Sequence, residues 1–398
     1  MSAVILDISR LISRVRYSTP SGVDRVEMAY ARGLVAHYGE ALTFAAVHPT
    51  GLYGRLPRKA ALAYLDELER RWSSQDEHPR QRSLPSIIPQ LAALLPRRDK
   101  AVLPNAVYVQ ASPHHLINLP KVQRILARER ARFLCMVHDL IPIEFPEYAR
   151  PGGAALHQRR IETIAATVDA VIVNSAATGR SLQPWLDRGG RRPSVDVALL
   201  GTEPLPTGDS VPSSDARPFF VCLGTVEPRK NHLLLLHLWR HFAETLPSEA
   251  IPRLVVVGRR GWENEQVLDM LERCPGLQGH VEELSGCSDA RLAGLLRAAR
   301  ALLMPSFAEG YGMPVAEALS VGTPVICSDI PALREVGLDA PDYLDPLDGP
   351  GWHSAVMDHT GQGPQHRAQL ARLTRWRAPT WDEHIAVVVE AIAKLQAK

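Results

Sequence analysis

Short, fully apolar runs alternate with segments of helical period along this chain, and that alternation leaves few folds open. Residues 3–9, 43–47, 106–110, 132–137, 169–173 and 195–199 are β-rich and apolar. Between them, Val26, Tyr30 and Leu34 share one helical face within 23–35, and Ile161, Ile164 and Val168 share another within 156–168. Apolar strands separated by helices predict βαβ units and a parallel sheet covered on both faces. Residues 201–218, rich in Pro, Gly, Ser and Asp, break the pattern. It restarts at 219–225, 253–258, 280–284, 300–305 and 324–329. The expectation is an α/β chain of two Rossmann-like domains facing each other across a ligand-binding cleft. The boundaries it predicts are 1–205, a linker at 206–218, 219–380, and a C-terminal helix over 381–398 that packs back on the first domain. Thr380 and Glu383 form a capping box for that helix.

Composition narrows the function classes. With 398 residues, 45% hydrophobic and 22% charged, the chain is globular rather than disordered. A net charge of +2 argues against a nucleic-acid partner. The balance conceals an asymmetry: residues 1–200 carry 27 basic against 18 acidic side chains, and 201–398 carry 18 against 25. Cys135, Cys222 and Cys327 lie in apolar runs, and the odd total of five without a C-x-x-C pair predicts buried free thiols and no zinc. The N-terminal residues do not read as a secretory leader, and no apolar run reaches the length of a membrane span. A cytoplasmic protein is expected.

Two blocks carry chemistry. In residues 223–231, LGTVEPRKN, a strand runs into a turn, and a helix is predicted over 232–242. Arg229 and Lys230 then sit near a helix N-terminus, where N–H groups and the dipole favour an anion such as a diphosphate. A solvated basic turn explains the same residues when they are taken alone. In 305–336, a Gly-rich loop, Glu309-Gly310-Tyr311-Gly312-Met313-Pro314, leads into a helix that carries Glu317. Carboxylates accept from sugar hydroxyls, and loop N–H groups hold phosphate. The plain alternative is a turn glutamate and a surface helix glutamate.

Together the blocks resemble the glycosyltransferases of GT-B fold, most closely family four. The E-x7-E motif of that family matches Glu309 and Glu317, and its basic turn matches Thr225-Val226-Glu227-Pro228-Arg229-Lys230. The resemblance is strong over residues 219–345. It implies that Glu309 contacts the hydroxyls of the donor sugar, that Glu317 contacts the ribose, and that Lys230 with Arg229 holds the diphosphate. Gly310 to Pro314 would line the sugar and phosphates, and the strand end at Glu283, Leu284 and Ser285 would meet the base. Many members carry Arg at the position of Thr225, and Arg229 would compensate here. In the first half, the SGVDRVEMAY loop makes Gly22 the candidate facing the diphosphate and acceptor. His138, in MVHDL, would point into the cleft as a catalytic residue, with Asp139 beside it. Asn174 and Ser175 lie at another strand end, where Ser175 also fits a helix cap.

The resemblance therefore implies a retaining, metal-independent hexosyltransferase with no cofactor beyond its GDP- or UDP-linked sugar donor. Mannose is the first choice of sugar. The acceptor would be a saccharide or a lipid-diphosphate-linked saccharide of bacterial polysaccharide or lipopolysaccharide synthesis, and the 39 Arg against 6 Lys fit a high-GC bacterial source. Alternatives are an epimerase or hydrolase of the same fold, or a non-catalytic nucleotide-sugar-binding subunit. The basic first half, above all the Arg-rich 55–100 segment, would face an anionic membrane. His237, His241 and Glu244 have metal-ligand spacing but read as structural, and His114 and His115 are an isolated pair. No G-x-S-x-G, G-x-G-x-x-G after a strand, or D-x-D pattern is present.

Overall fold

A computed structural model of the chain describes residues 3–17, 19–72, 83–97, 103–206 and 216–397. They form two compact units. The first takes the described residues up to Gly201 together with Thr380–Lys398, and the second is Thr202–Pro379. Most of the linker expected at 206–218 lies outside the described residues.

The first unit is built on a seven-stranded sheet of order β3-β2-β1-β4-β5-β6-β7. Its strands are β1 (Val4–Asp7), β2 (Leu42–Val47), β3 (Tyr53–Arg55), β4 (Val107–Gln110), β5 (Arg132–Val137), β6 (Ala170–Val173) and β7 (Ser194–Val197). All neighbours are parallel except β3, which runs antiparallel to β2 with Arg55 opposite Ala45. The expected all-parallel sheet therefore fails at this edge. The connection from β2 is a tight turn in which His48 and Leu52 are hydrogen-bonded and Gly51 has φ +86°. So short a link can only return the chain antiparallel. Phe133, Cys135, Val171 and Val173 of the central strands pack with Ile161 and Ile164 of the Gly153–Thr167 helix.

The Gly22–Tyr38 helix begins at Ser21 in a capping box with Asp24 and buries Val26, Tyr30 and Leu34. The C-terminal helix, Trp381–Ala397, packs against it and against β4 to β7. Thr380 and Glu383 exchange hydrogen bonds at its start. Gly33 admits Ile385, because a Cβ there would stand 2.5 Å from Ile385 Cγ1. The buried His384 reaches the carbonyls of Ala198 and Leu199 and the Tyr30 hydroxyl at 3.0–3.1 Å. These contacts are why the last helix belongs to the first unit.

The second unit holds a six-stranded, wholly parallel sheet of order β10-β9-β8-β11-β12-β13. Its strands are β8 (Phe219–Leu223), β9 (Arg253–Val257), β10 (Val281–Leu284), β11 (Leu302–Met304), β12 (Val325–Ser328) and β13 (Asp342–Leu344). Phe220, Leu254, Val256 and Ile326 pack with Trp239 and Trp352. All five cysteines are unpaired, and Cys135, Cys222 and Cys327 are buried. Among the described residues no helix is long and apolar enough to cross a membrane.

Candidate functional site

In a parallel sheet the loops after the strands open at the carboxyl edge, and in the second unit the motif residues gather there. The ends of β10, β9 and β8 are tied in series: Gly258 N donates to Leu284 O, and Gly224 N to Val257 O, both at 2.9 Å. Two glycines make this closeness possible. Gly224 has φ +141° and faces the Lys230 side chain, and a Cβ on Gly258 would collide with the Gly224 carbonyl. Beyond Gly224 the chain makes a single 3-10 turn, Pro228–Lys230. Asn231 then adopts the left-handed conformation (φ 54°) and starts the His232–Thr245 helix. Its side chain donates to the Pro346 carbonyl at 2.9 Å.

Glu309, in the loop after β11, is the centre of the site. Its Oε1 lies 2.7 Å from Lys230 Nζ, and its Oε2 lies 2.8 Å from the Arg229 guanidinium. The carboxyl side chain is only 8% exposed. Burial alone would raise its pKa, but the two cations outweigh burial and hold it at about 2. Glu309 is thus ionised throughout the ordinary pH range. Arg229 is fixed more firmly than Lys230. It also donates twice to Glu227 Oε1, at 2.6 and 3.1 Å, and to the Ala308 carbonyl at 2.6 Å. Sequence reasoning offered Arg229 to a diphosphate, whereas here its guanidinium engages two carboxylates and a carbonyl. Glu227 and Asn231 went unremarked, although both stand in the same turn. A lone acidic residue two positions before Arg, and an Asn just ahead of an apolar helix, were the available signals.

The rest of the loop follows. Tyr311 is buried, and Gly312 (φ +106°) caps the Met313–Ser320 helix. A Cβ on Gly312 would strike Leu333. Met313 and Pro314 form the first turn, and Glu317 is half-buried on the next. Thr225 and Leu284 are half-buried and Ser285 is exposed, all at the same sheet edge. Glu283 is committed to an ion pair with Arg260 at 2.8 Å. The buried His232 has no hydrogen bond to either ring nitrogen, and burial, reinforced by Lys230, lowers its pKa to about 4.

The remaining candidates belong to the first unit. Gly22 is exposed at the first position of its helix, next to Ser21 and Asp24. Asp24 receives Arg10 at 2.6 Å and Arg14 at 3.1 Å. His138 follows β5, and its Nε2 lies 2.7 Å from the Ala111 carbonyl; burial pulls its pKa down, favouring the neutral ring. Asp139 accepts from Ile141 N, as a local cap. Asn174 donates to the His138 carbonyl at 2.9 Å, and Ser175 caps the Ala176–Arg188 helix through Thr178 N. Sequence reasoning missed a buried acid pair at the β1 end. Glu27 and Asp7 are both 0% exposed. Asp7 accepts from the Tyr108 hydroxyl, and the Ser112 hydroxyl stands beside Glu27. The helical period alone places Glu27 beside the buried face of its helix, one position after Val26.

Among the described residues, no group of three or more His, Cys, Asp or Glu side chains is placed to hold a metal ion. His237 and His241 are exposed, and Glu244 pairs with Arg240 at 3.0 Å.

Residues 209–340 match the model of glycosyl transferases group 1. The serotype-specific mannosyltransferase WbdA of Escherichia coli is 30% identical over 241 residues, which cover 54% of this chain and 28% of WbdA. The O-antigen chain mannosyltransferase B of Escherichia coli is 41% identical over 128 residues, 32% of each chain. The chain thus spans under a third of the length of these curated relatives. Anabaena HepE, solved with UDP-glucose, superposes over the full length of both chains with a TM-score of 0.58 at 14% identity, a likeness of fold.

Proposed function

We propose that the chain is a group 1 glycosyl transferase of GT-B fold, on the match over residues 209–340 and the likeness of fold, and that it transfers a hexose from a nucleotide-diphosphate sugar to a saccharide or lipid-linked saccharide. The observation that carries this reading is the buried Glu309 carboxylate set between Lys230 and Arg229 at the carboxyl edge of the second sheet. When a glycosyl–phosphate bond breaks, negative charge builds on the diphosphate, and a fixed cation beside it lowers the barrier. Lys230 supplies that cation, and the backbone at Gly310 to Pro314 adds N–H groups. Glu309 accepts from the sugar hydroxyls and Glu317 from the ribose. Thr225, Leu284 and Ser285 line the nucleotide. Transfer proceeds with retention and without a metal, through an oxocarbenium-like carbon. The departing phosphate oxygen takes the acceptor's proton. In the first unit, Gly22 and a neutral His138 serve the acceptor and sugar. The names of the two Escherichia coli relatives favour mannose and hence a GDP donor, and the UDP-glucose bound to HepE keeps UDP in the panel.

Lys230→Ala and Glu309→Ala are each expected to cut acceptor-dependent donor turnover at least ~100-fold. Near-normal rates in both folded variants would overturn the site. Donor breakdown that does not depend on acceptor would identify a hydrolase or epimerase instead.

Peripheral attachment to an anionic membrane is part of the same proposal, with a narrower contact than the whole 55–100 segment. Arg55 is buried against Glu129 at 2.6 Å, Arg58 donates to the Leu42 carbonyl, and Arg71 to that of Val15, so these arginines serve the unit itself. The Leu84–Ala93 helix fits better. Ile88 is 61% exposed and Leu95, just beyond it, 45%. Arg80, Arg82, Arg97 and Arg98 flank it in sequence. Apolar residues bordered by cations suit a lipid interface. Co-sedimentation with phosphatidylglycerol vesicles is expected, weakened by salt and by Ile88→Asp. Equal binding to phosphatidylcholine would overturn it.

A further inference from the structure

The two cations of the site are held unequally. Arg229 makes four short contacts, to Glu227, Ala308 and Glu309, and its position is determined without any ligand. The Lys230 ammonium, with three protons to donate, has Glu309 as its hydrogen-bond partner among the described residues. Its charge is therefore already neutralised, by a carboxylate that is ionised at any ordinary pH. An incoming diphosphate has to compete for it. We propose that Glu309 is a built-in counter-anion that the donor displaces from Lys230, with Arg229 as its anchor, so that the site retains an intact nucleotide-diphosphate sugar and rejects the bare nucleotide diphosphate. This rests on the donor reading above.

The physical argument is one of matched partners. When the full donor enters, Lys230 Nζ passes from Glu309 Oε1 to a phosphate oxygen. Glu309 stays in the site because Arg229 still holds Oε2, and the freed Oε1 accepts from a sugar hydroxyl. A buried carboxylate oxygen left without a donor is costly, and the sugar removes that cost. A bare nucleotide diphosphate brings the same phosphates but no hydroxyl. Glu309 is then a buried anion with one oxygen unpaired beside a second anion. It recaptures Lys230 and the nucleotide leaves. No bond is made or broken in this exchange, which would begin each time the sugar departs with the acceptor. Glu309 acts here as a selectivity residue for the donor, and Arg229 as a positioning residue.

The test is calorimetric titration of the full chain with GDP, UDP, GDP-mannose and UDP-glucose. Wild type is expected to bind one sugar nucleotide more tightly than the matching diphosphate. Glu309→Gln is expected to bind that diphosphate about tenfold more tightly than wild type, as one buried like charge is removed, while losing its preference for the sugar form. Arg229→Met, which leaves Glu309 to Lys230 alone, is expected to weaken the diphosphate relative to wild type. Unchanged or weaker diphosphate binding by Glu309→Gln overturns the inference and leaves the donor reading intact. Failure of wild type to bind any of the four overturns the donor reading, and the inference with it. If Glu309→Gln does not fold, the wild-type pair decides: a diphosphate bound as tightly as its sugar conjugate overturns the inference.

Discussion

Glu27 and Glu309 are both buried glutamates, one in each unit, and their surroundings drive them in opposite directions. Glu27 is fully buried beside the carboxyl group of Asp7. Burial, and then Asp7, raise its pKa to about 8, and the Ser112 hydroxyl, Arg10 and the Leu11 N–H at 3.4 Å offset this only in part. Glu309 is buried between two cations that bring it to about 2. The same side chain is a neutral acid in the first unit and a permanent anion in the second. Burial pushes both toward the neutral form, and the charge of the partner decides whether it prevails.

The largest expected effect comes from making the same substitution at both sites. Glu309→Gln leaves the buried Lys230 ammonium without its counter-charge and Arg229 with Glu227 alone, and breaking such an arrangement typically costs about 3–5 kcal/mol. Glu27→Gln replaces one neutral group by another at pH 7 and should cost no more than about 1 kcal/mol. Chemical unfolding of both variants, with peptide-level hydrogen exchange to locate the loss, checks the contrast. Equal losses would break it. Smaller effects come from pH. Glu309 has a depressed folded pKa, so its contribution is present above about 4.5 and is lost as pH falls from there toward 2. Glu27 has a raised folded pKa, so its contribution is complete below about 4.5 and is lost as pH rises through about 8. The second unit should weaken as pH falls from about 4.5 toward 2, and the first as pH rises from about 4.5 to about 8, each by at most a few kcal/mol. In Glu27→Gln the decline of the first unit between about pH 4.5 and 8 should flatten, and at pH 9 the variant should be the more stable protein. An unchanged slope over that range would show that Glu27 is not the group responsible.

Much of this was legible in the chain itself. Apolar runs such as RFLCMV and FFVCLG announced β5 and β8, because a parallel strand buried on both faces has no polar alternation to hide it. β3 and β13 were not legible, since these edge strands, YGR and DYL, carry no apolar run. The residues of the candidate site were legible as types: Arg229, Lys230 and Glu309 stand in motifs. Their pairing was not. Arg229 and Glu309 are 80 positions apart, and only the adjacency of β8 and β11 brings their loops together. Glu27 was hidden for the opposite reason, because a glutamate on an amphipathic helix reads as solvated surface.

The sequence by itself determined the two βαβ halves, the capped final helix and the motifs that hold Arg229, Lys230 and Glu309, because periodicity, turn chemistry and capping act over a few neighbouring positions. Only the tertiary structure decided that Lys230 is neutralised by Glu309, that Arg229 is fixed by Glu227 and Ala308, and that Glu27 faces Asp7 in the interior. Those outcomes depend on charges and hydrogen bonds between strand ends far apart in the chain. Their strength is set by burial that no local window records.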